Sequence, residues 1–271
     1  MQSWRLILDR ACDGATNMGI DEAMLAAVDE GKAPPTIRLY GWSPGCYSLG
    51  RFQPYSDLNE DARSIPGITW VRRPTGGRAL YHSTSEVTYS IAAPLSDERV
   101  SGSVTESYRK ISSCLVAGLR LLGADVQLAP KGDARLLRTN PACSTIPSQY
   151  ELTYMGRKLI GSAQTRTRKA LLQHGSIPLT DPQYKLFMGL SFPDNDTRLL
   201  AFQSSKNKAT CLQEALGFVP EREDVEKALI EGFSLVWQLQ LCVGDLTSYE
   251  RQLAGQLAND KYRSLEWSCK K

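Results

Sequence analysis

The sequence predicts an α+β fold, a mixed sheet with packed helices, and three observations carry that prediction. Strand-like runs come in series: TIRLYGW, CYSLGRF, ITWVRR and EVTYSIAA follow one another from Thr36 to Ala93, with Gly and Pro between them. Helical periodicity falls outside those runs, in MGIDEAMLAAVDE, in the stretch from Ser103 to Leu122, and near the C-terminus. Strands grouped apart from helices argue against the regular alternation of a doubly wound sheet.

Each element has its own signal. Thr16 or Asn17 is expected to cap the first helix, with Gly31 just past its end and Pro34-Pro35 closing it. Ser43-Pro44-Gly45 forms a turn between the first two strand runs. Val104, Tyr108, Ile111, Leu115, Leu119 and Leu122 recur at helical spacing, and Gly123 ends that helix. YELTYMGRKLIGSAQTR reads as a hairpin turning at Met155-Gly156, followed by the strand LLQHGSIPL. After Pro220, DVEKALIEGFSLVWQLQL is an amphipathic helix. TSYERQLAGQLAN is another, with Thr247 and Glu250 at capping-box spacing. Residues 1–193 are therefore expected to form the catalytic domain. Residues 194–271 form a smaller helical portion that packs beside it or as part of it.

Composition excludes several classes. With 32 Lys and Arg against 29 Asp and Glu, the formal charge is only +3, far from a dedicated nucleic-acid binder. The start MQSWRLILDR lacks a signal-peptide core, and no apolar run reaches the ~20 residues that span a bilayer. A cytoplasmic protein, bound to neither membrane nor nucleic acid, is expected. The seven cysteines, Cys12, Cys46, Cys114, Cys143, Cys211, Cys242 and Cys269, include no C-x-x-C pair, and His82 and His174 are the two histidines. Such a set calls for neither a disulfide framework nor a zinc cluster. Neither G-x-G-x-x-G, a P-loop nor a G-x-S-x-G elbow is present, so no metal and no cofactor is expected.

Two segments could carry chemistry. In Arg72-Arg73-Pro74-Thr75-Gly76-Gly77-Arg78, adjacent glycines let the backbone approach a ligand, and Arg73 and Arg78 offer charge-assisted donors. The plainer reading is a hairpin with solvated arginines. His82 at its end and His174 downstream read singly as hydrogen-bonded structural residues. The second segment, NPACS, places Cys143 fifteen residues before Lys158 in GRKLIGSAQTR. A nearby ammonium favours the nucleophilic thiolate. Gly161, Ser162 and Ala163 are small enough to let a bulky ligand pass. The plainer reading here is a buried thiol and a surface lysine.

Taken in order, RRPTGGRALYH with EVTYS, then GRKLIGSAQTR, then LLQHGSI resemble the biotin/lipoate protein ligase superfamily over about Gly14 to Pro178. The resemblance implies a mixed sheet with helices on one side and an acyl tunnel ending at the cysteine and the lysine. It assigns Arg73, Gly76, Gly77, Arg78, His82, Gly161, Ser162 and Ala163 to substrate and Cys143 and Lys158 to catalysis. With Cys143 upstream of Lys158, the chain is closest to the cysteine-dependent octanoyltransferases. These move octanoyl from acyl carrier protein through a thioester to a lysine of a lipoyl-domain protein, commonly glycine cleavage H protein. Ser144-Thr145-Ile146 departs from the aromatic and acidic residues that often follow the family's cysteine, which bears on acyl-chain contacts there. Three alternatives stay open: an ATP-dependent lipoate ligase, an amidotransferase between lipoyl-domain proteins, and a non-catalytic acyl-carrier binding protein.

Overall fold

The computed structural model describes residues 3–60, 62, 67–129 and 151–270. Its larger sheet is built from β1 (Trp4–Leu8), β2 (Thr36–Tyr40), β6 (Glu86–Pro94), β7 (Gln127–Leu128), β8 (Leu152–Tyr154), β9 (Arg157–Arg166), β10 (Ala170–Pro178) and β11 (Leu241–Val243). The strands lie in the order β11-β1-β2-β6-β10-β9-β8-β7. β1 runs parallel to both of its neighbours, and the rest of the sheet is antiparallel. A smaller sheet pairs β3 (Gly45–Leu49) with β4 (Ile68–Arg72) in parallel and with β5 (Leu80–His82) antiparallel.

The expected α+β class is observed, with one correction: helices cover both faces of the large sheet. Side chains alternate along a strand, and the cores follow that alternation. Leu6, Ile91 and Leu171 join the cluster beneath α2 (Val104–Leu121) and α6 (Arg222–Trp237). Their neighbours Ile7, Ala92 and Leu172 pack instead with α1 (Gly14–Asp29) and α7 (Ser248–Gln256). Of four shorter helices, α3 (Gln183–Gly189) and α8 (Leu265–Ser268) contact the smaller sheet, α4 (Asn195–Lys206) packs on α3, and α5 (Leu212–Leu216) adds Leu212 to the first cluster. Gly118 of α2 meets Gly232 of α6, where an added Cβ would run into the facing backbone, so these two helices need glycine to approach as they do.

The α1 helix starts earlier than the sequence suggests. Asp13 is its cap, accepting from the amides of Ala15 and Thr16, whereas Asn17 lies inside the helix and donates to the carbonyls of Cys12 and Gly41. α2 carries a capping box of Ser103 and Glu106, and its apolar face begins at Tyr108, because Val104 is 53% exposed. The expected turn at Met155-Gly156 is present with φ of 49° and 75°, which is the two-residue hairpin geometry that matches strand twist. Thr247 and Glu250 form the expected capping box. Glu250 also receives Arg5 of β1 at 2.8 Å, fastening α7 to that strand.

Candidate active site

β9 and β10 set the register of the site. Gly161, Ser162 and Ala163 lie opposite Ser176, Gly175 and His174. Above them the smaller sheet presents the turn between β4 and β5, which holds the glycine doublet. A cavity lies between, lined mainly by carbon: Met18 of α1, Tyr40, Trp42 and Leu80 form its apolar walls. Arg73, Gly77, His82, Gly161, Ser162 and Ala163, picked out in the sequence, all line it. Gly76 and Arg78 belong to the same turn without lining the cavity. Cys143 lies outside the described residues.

Lys158 lines a neighbouring cavity, which shares Leu80, Gly161 and Ser176 with the first. Its backbone is held on the side away from β8 by the segment 208–210. The Lys158 amide donates to the Lys208 carbonyl at 2.7 Å, and the Thr210 amide to the Lys158 carbonyl at 2.9 Å. Nζ is 2.6 Å from Glu151 Oε1, and both side chains are buried. The side chain folds back over Gly161, where an added Cβ would meet Lys158 Cε at 3.3 Å. The lysine thus belongs to the second cavity, beside a glycine that lines both. The surface-lysine reading does not hold.

The turn between β4 and β5 is not a solvated hairpin either. Arg72 and Arg73 are buried. The N–H groups of Arg73 donate to the carbonyls of Ser48, Gly76 and Arg78 and to Ser48 Oγ. The guanidinium that the sequence reading gives to substrate thus shapes the turn around itself. Gly77 has φ of 92°, a conformation that favours glycine, and an added Cβ would stand 2.8 Å from Arg73 Nη2.

Both histidines are buried and each is tied to a carboxylate. His82 Nδ1 is 2.7 Å from Glu86 Oε1 and its ring stacks on Trp42 at 3.8 Å. His174 Nδ1 is 2.9 Å from Asp21 Oδ2. Asp21 also accepts from Arg38, Tyr40 and Ser90. Burial pushes the Asp21 carboxyl up. The His174 bond and the Arg38 charge outweigh it and hold the group below the usual carboxylate range. For His174 burial prevails over Asp21, and the imidazole is held below its ordinary value. The result is an ionised Asp21 beside a neutral His174.

Sequence reasoning overlooks Asp21, Glu86 and Glu151. Glu86 sits four residues after His82, a spacing that reading could have used. Asp21 is 153 residues from His174 and meets it through the fold alone. Among the described residues, no cluster of three or more His, Cys, Asp or Glu could hold a metal ion, and no helix is long and apolar enough to cross a membrane.

The chain aligns end to end with relatives named octanoyltransferase LipM. It is 44% identical to that of Kyrpidia tusciae over 276 residues, covering 100% of both chains. It is 37% identical to that of Bacillus subtilis, covering 100% of this chain and 99% of the relative. Among solved structures it resembles a bi-partite lipoate protein ligase of Thermoplasma acidophilum. The TM-score is 0.83 at 24% identity, over 99% of this chain and 97% of that one. A lipoate-protein ligase A bound with ATP gives a TM-score of 0.80 at 24% identity, over 98% of each chain. Residues 13–234 match the lipoyl protein ligase A/B catalytic domain, and the chain belongs to that family.

Proposed function

We propose that the protein is an octanoyltransferase of lipoate biosynthesis, working in the cytoplasm without nucleotide. It takes octanoyl from acyl carrier protein onto Cys143 and passes it to a lysine of a lipoyl-domain protein such as glycine cleavage H protein. The observation that carries this reading is the apolar cavity walled by Met18, Tyr40, Trp42 and Leu80, which adjoins the Lys158 cavity at Gly161. A linear acyl chain fits such a lining, and its carbonyl end then meets the ammonium. The full-length relatives named for octanoyl transfer support the same reading.

The chemistry balances without ATP because the donor is already a thioester. The Cys143 thiolate adds to the octanoyl carbonyl, the carbon–sulfur bond to the carrier breaks, and the carrier leaves as a thiolate that takes its proton from solvent. Lys158 stabilises the oxyanion as the charge develops. In the second half, a neutral lysine amine of the acceptor attacks the Cys143 thioester. The carbon–sulfur bond breaks, and the amine proton passes through Lys158 to the departing sulfur. An amide replaces a thioester, which runs downhill, and a shared covalent intermediate gives ping-pong kinetics.

The test is intact-mass spectrometry after mixing the protein with octanoyl-carrier protein and no nucleotide. An octanoyl adduct is expected, removed by hydroxylamine and absent from Cys143→Ala. An adduct that persists in Cys143→Ala removes the nucleophile assignment. Acylation that requires ATP and free octanoate makes the protein a ligase.

A further inference from the structure

We propose that His174 and His82 are positioning residues, whose imidazoles hold the glycine-rich turn between β4 and β5 in shape from two sides. An ionised Asp21, bonded to Arg38, Tyr40 and Ser90, takes a proton donor from His174, so Nδ1 carries the hydrogen. Nε2 is then an acceptor. The group it faces is Thr75 Oγ1 at 2.7 Å, a fully buried hydroxyl inside the turn. The Thr75 carbonyl accepts from the Arg51 amide at 2.8 Å, which ties the turn to the end of β3.

The second chain has the same order of groups. Glu86 Oε1 accepts from Thr88 Oγ1 at 2.7 Å, Oε2 accepts from Ser176 at 3.0 Å, and His82 Nδ1 lies 2.7 Å from Oε1. His82 Nε2 faces Ser48 Oγ at 2.8 Å, and Ser48 accepts from Arg73, which grips Gly76 and Arg78. One imidazole therefore fixes Thr75 directly, and the other fixes the far side through Ser48 and Arg73. Trp42, stacked on His82 at an interplanar angle of 9°, keeps that ring from turning.

Carboxylate, imidazole and hydroxyl in line also describe a nucleophilic relay. Thr75 does not line the cavity, and Arg73 donates into Ser48 Oγ, so the bonds serve the turn. Both ring nitrogens of each histidine are engaged within the protein. Their work is to hold the turn so that Gly77 stands where an acyl carbonyl would come.

The inference rests on the octanoyl-transfer reading for its kinetic readout, so a second readout is independent of it. Thr75→Val removes the hydroxyl and keeps the shape, and Thr75→Ser keeps the hydroxyl. Steady-state transfer from octanoyl-carrier protein and hydrogen exchange of the peptide spanning 73–78 are measured well below the unfolding temperature. Thr75→Val is expected to lower kcat about tenfold to a hundredfold with KM little changed, and to speed exchange in the turn. Thr75→Ser is expected to restore most of both.

Equal loss in the two variants, or a drop in unfolding temperature with normal kcat and exchange, overturns the inference. If the wild-type protein transfers no octanoyl, the functional reading fails. Exchange still decides the positioning role, and unchanged exchange in Thr75→Val ends it.

Discussion

Glu151 Oε1 stands 2.6 Å from Lys158 Nζ, and the two side chains are 3% and 5% exposed. The lysine of the second cavity thus brings its own counter-ion. Bringing two charges out of water is costly, and their attraction repays it only while both are present. Glu151→Ala is expected to destabilise the fold by about 3 kcal/mol by removing one member of a buried ion pair. The double variant Glu151→Gln, Lys158→Met should recover most of that in urea unfolding. If the double variant is as unstable as the sum of the singles, the pair is not coupled.

Thiol reactivity should be confined to few positions. Burial pushes the Cys46 thiol up to about 12, and it also raises Cys12, Cys114 and Cys211. Alanine at any of these four should leave the octanoyl adduct intact, as should alanine at Cys242 or Cys269. Brief alkylation of the native protein at pH 8 should leave Cys46 and Cys114 unmodified. Early labelling of either, read by peptide mass mapping, would show that the buried thiols open to solvent.

Stability should fall in mild acid. The ordinary His value is 6.5, and burial holds His174 below it. Below about pH 6.5 the unfolded chain therefore takes up a proton that the folded chain refuses, and stability declines until the folded value is passed. Asp21 acts in the same direction at lower pH. Its folded value is under the ordinary 3.8, so its contribution is present above that and lost as pH falls through the folded value. Urea midpoints at pH 7.5, 6.0 and 5.0 should decrease in that order. His174→Asn should show a smaller decrease across the same range, and an identical slope would remove His174 as its source.

Gly77 gives a further test of the turn. With φ of 92° and Arg73 Nη2 2.8 Å from an added Cβ, Gly77→Val should cost about 1–3 kcal/mol of stability. Turnover should fall much further, because Arg73 must move and the turn moves with it. Equal loss of stability and turnover would return the turn to a structural role.

How much of this was legible in the sequence depends on how local each cause is. Capping at Thr247, the turn at Met155-Gly156 and the α2 face from Tyr108 are set by residues within a few positions of one another. They appear where the sequence places them. Asp13 escaped notice because Gly14 follows it, and glycine does not look like the first residue of a helix. Gly77, His82, Gly161, Ser162 and Ala163 could be picked out, since the motif order names them. Their shared cavity comes from β9 and β10 passing beneath the smaller sheet, which no spacing reveals. Glu151 was hidden by a register shift. Thr153 pairs with Lys158 while Leu152 pairs with Ile160, so a regular hairpin would align the wrong residues.

The sharpest remaining question is whether Lys158 moves a proton or only supplies charge, and Lys158→Arg separates the two. Arginine keeps the positive charge, can bond Glu151 through two N–H groups, and does not give up a proton at neutral pH. The site is tight, with Lys158 Cε 3.3 Å from where a Gly161 Cβ would stand, so the larger fork should displace the acyl carbonyl slightly. Formation of the Cys143 thioester needs charge stabilisation, which arginine retains, and it should proceed slowly. Aminolysis needs a proton to leave the attacking amine, and that step should nearly stop. Single-turnover mass spectrometry resolves the two, because the variant should accumulate the octanoyl adduct and hold it when the lipoyl-domain acceptor is added. Adduct that drains to the acceptor at the wild-type rate would leave Lys158 as an electrostatic partner alone.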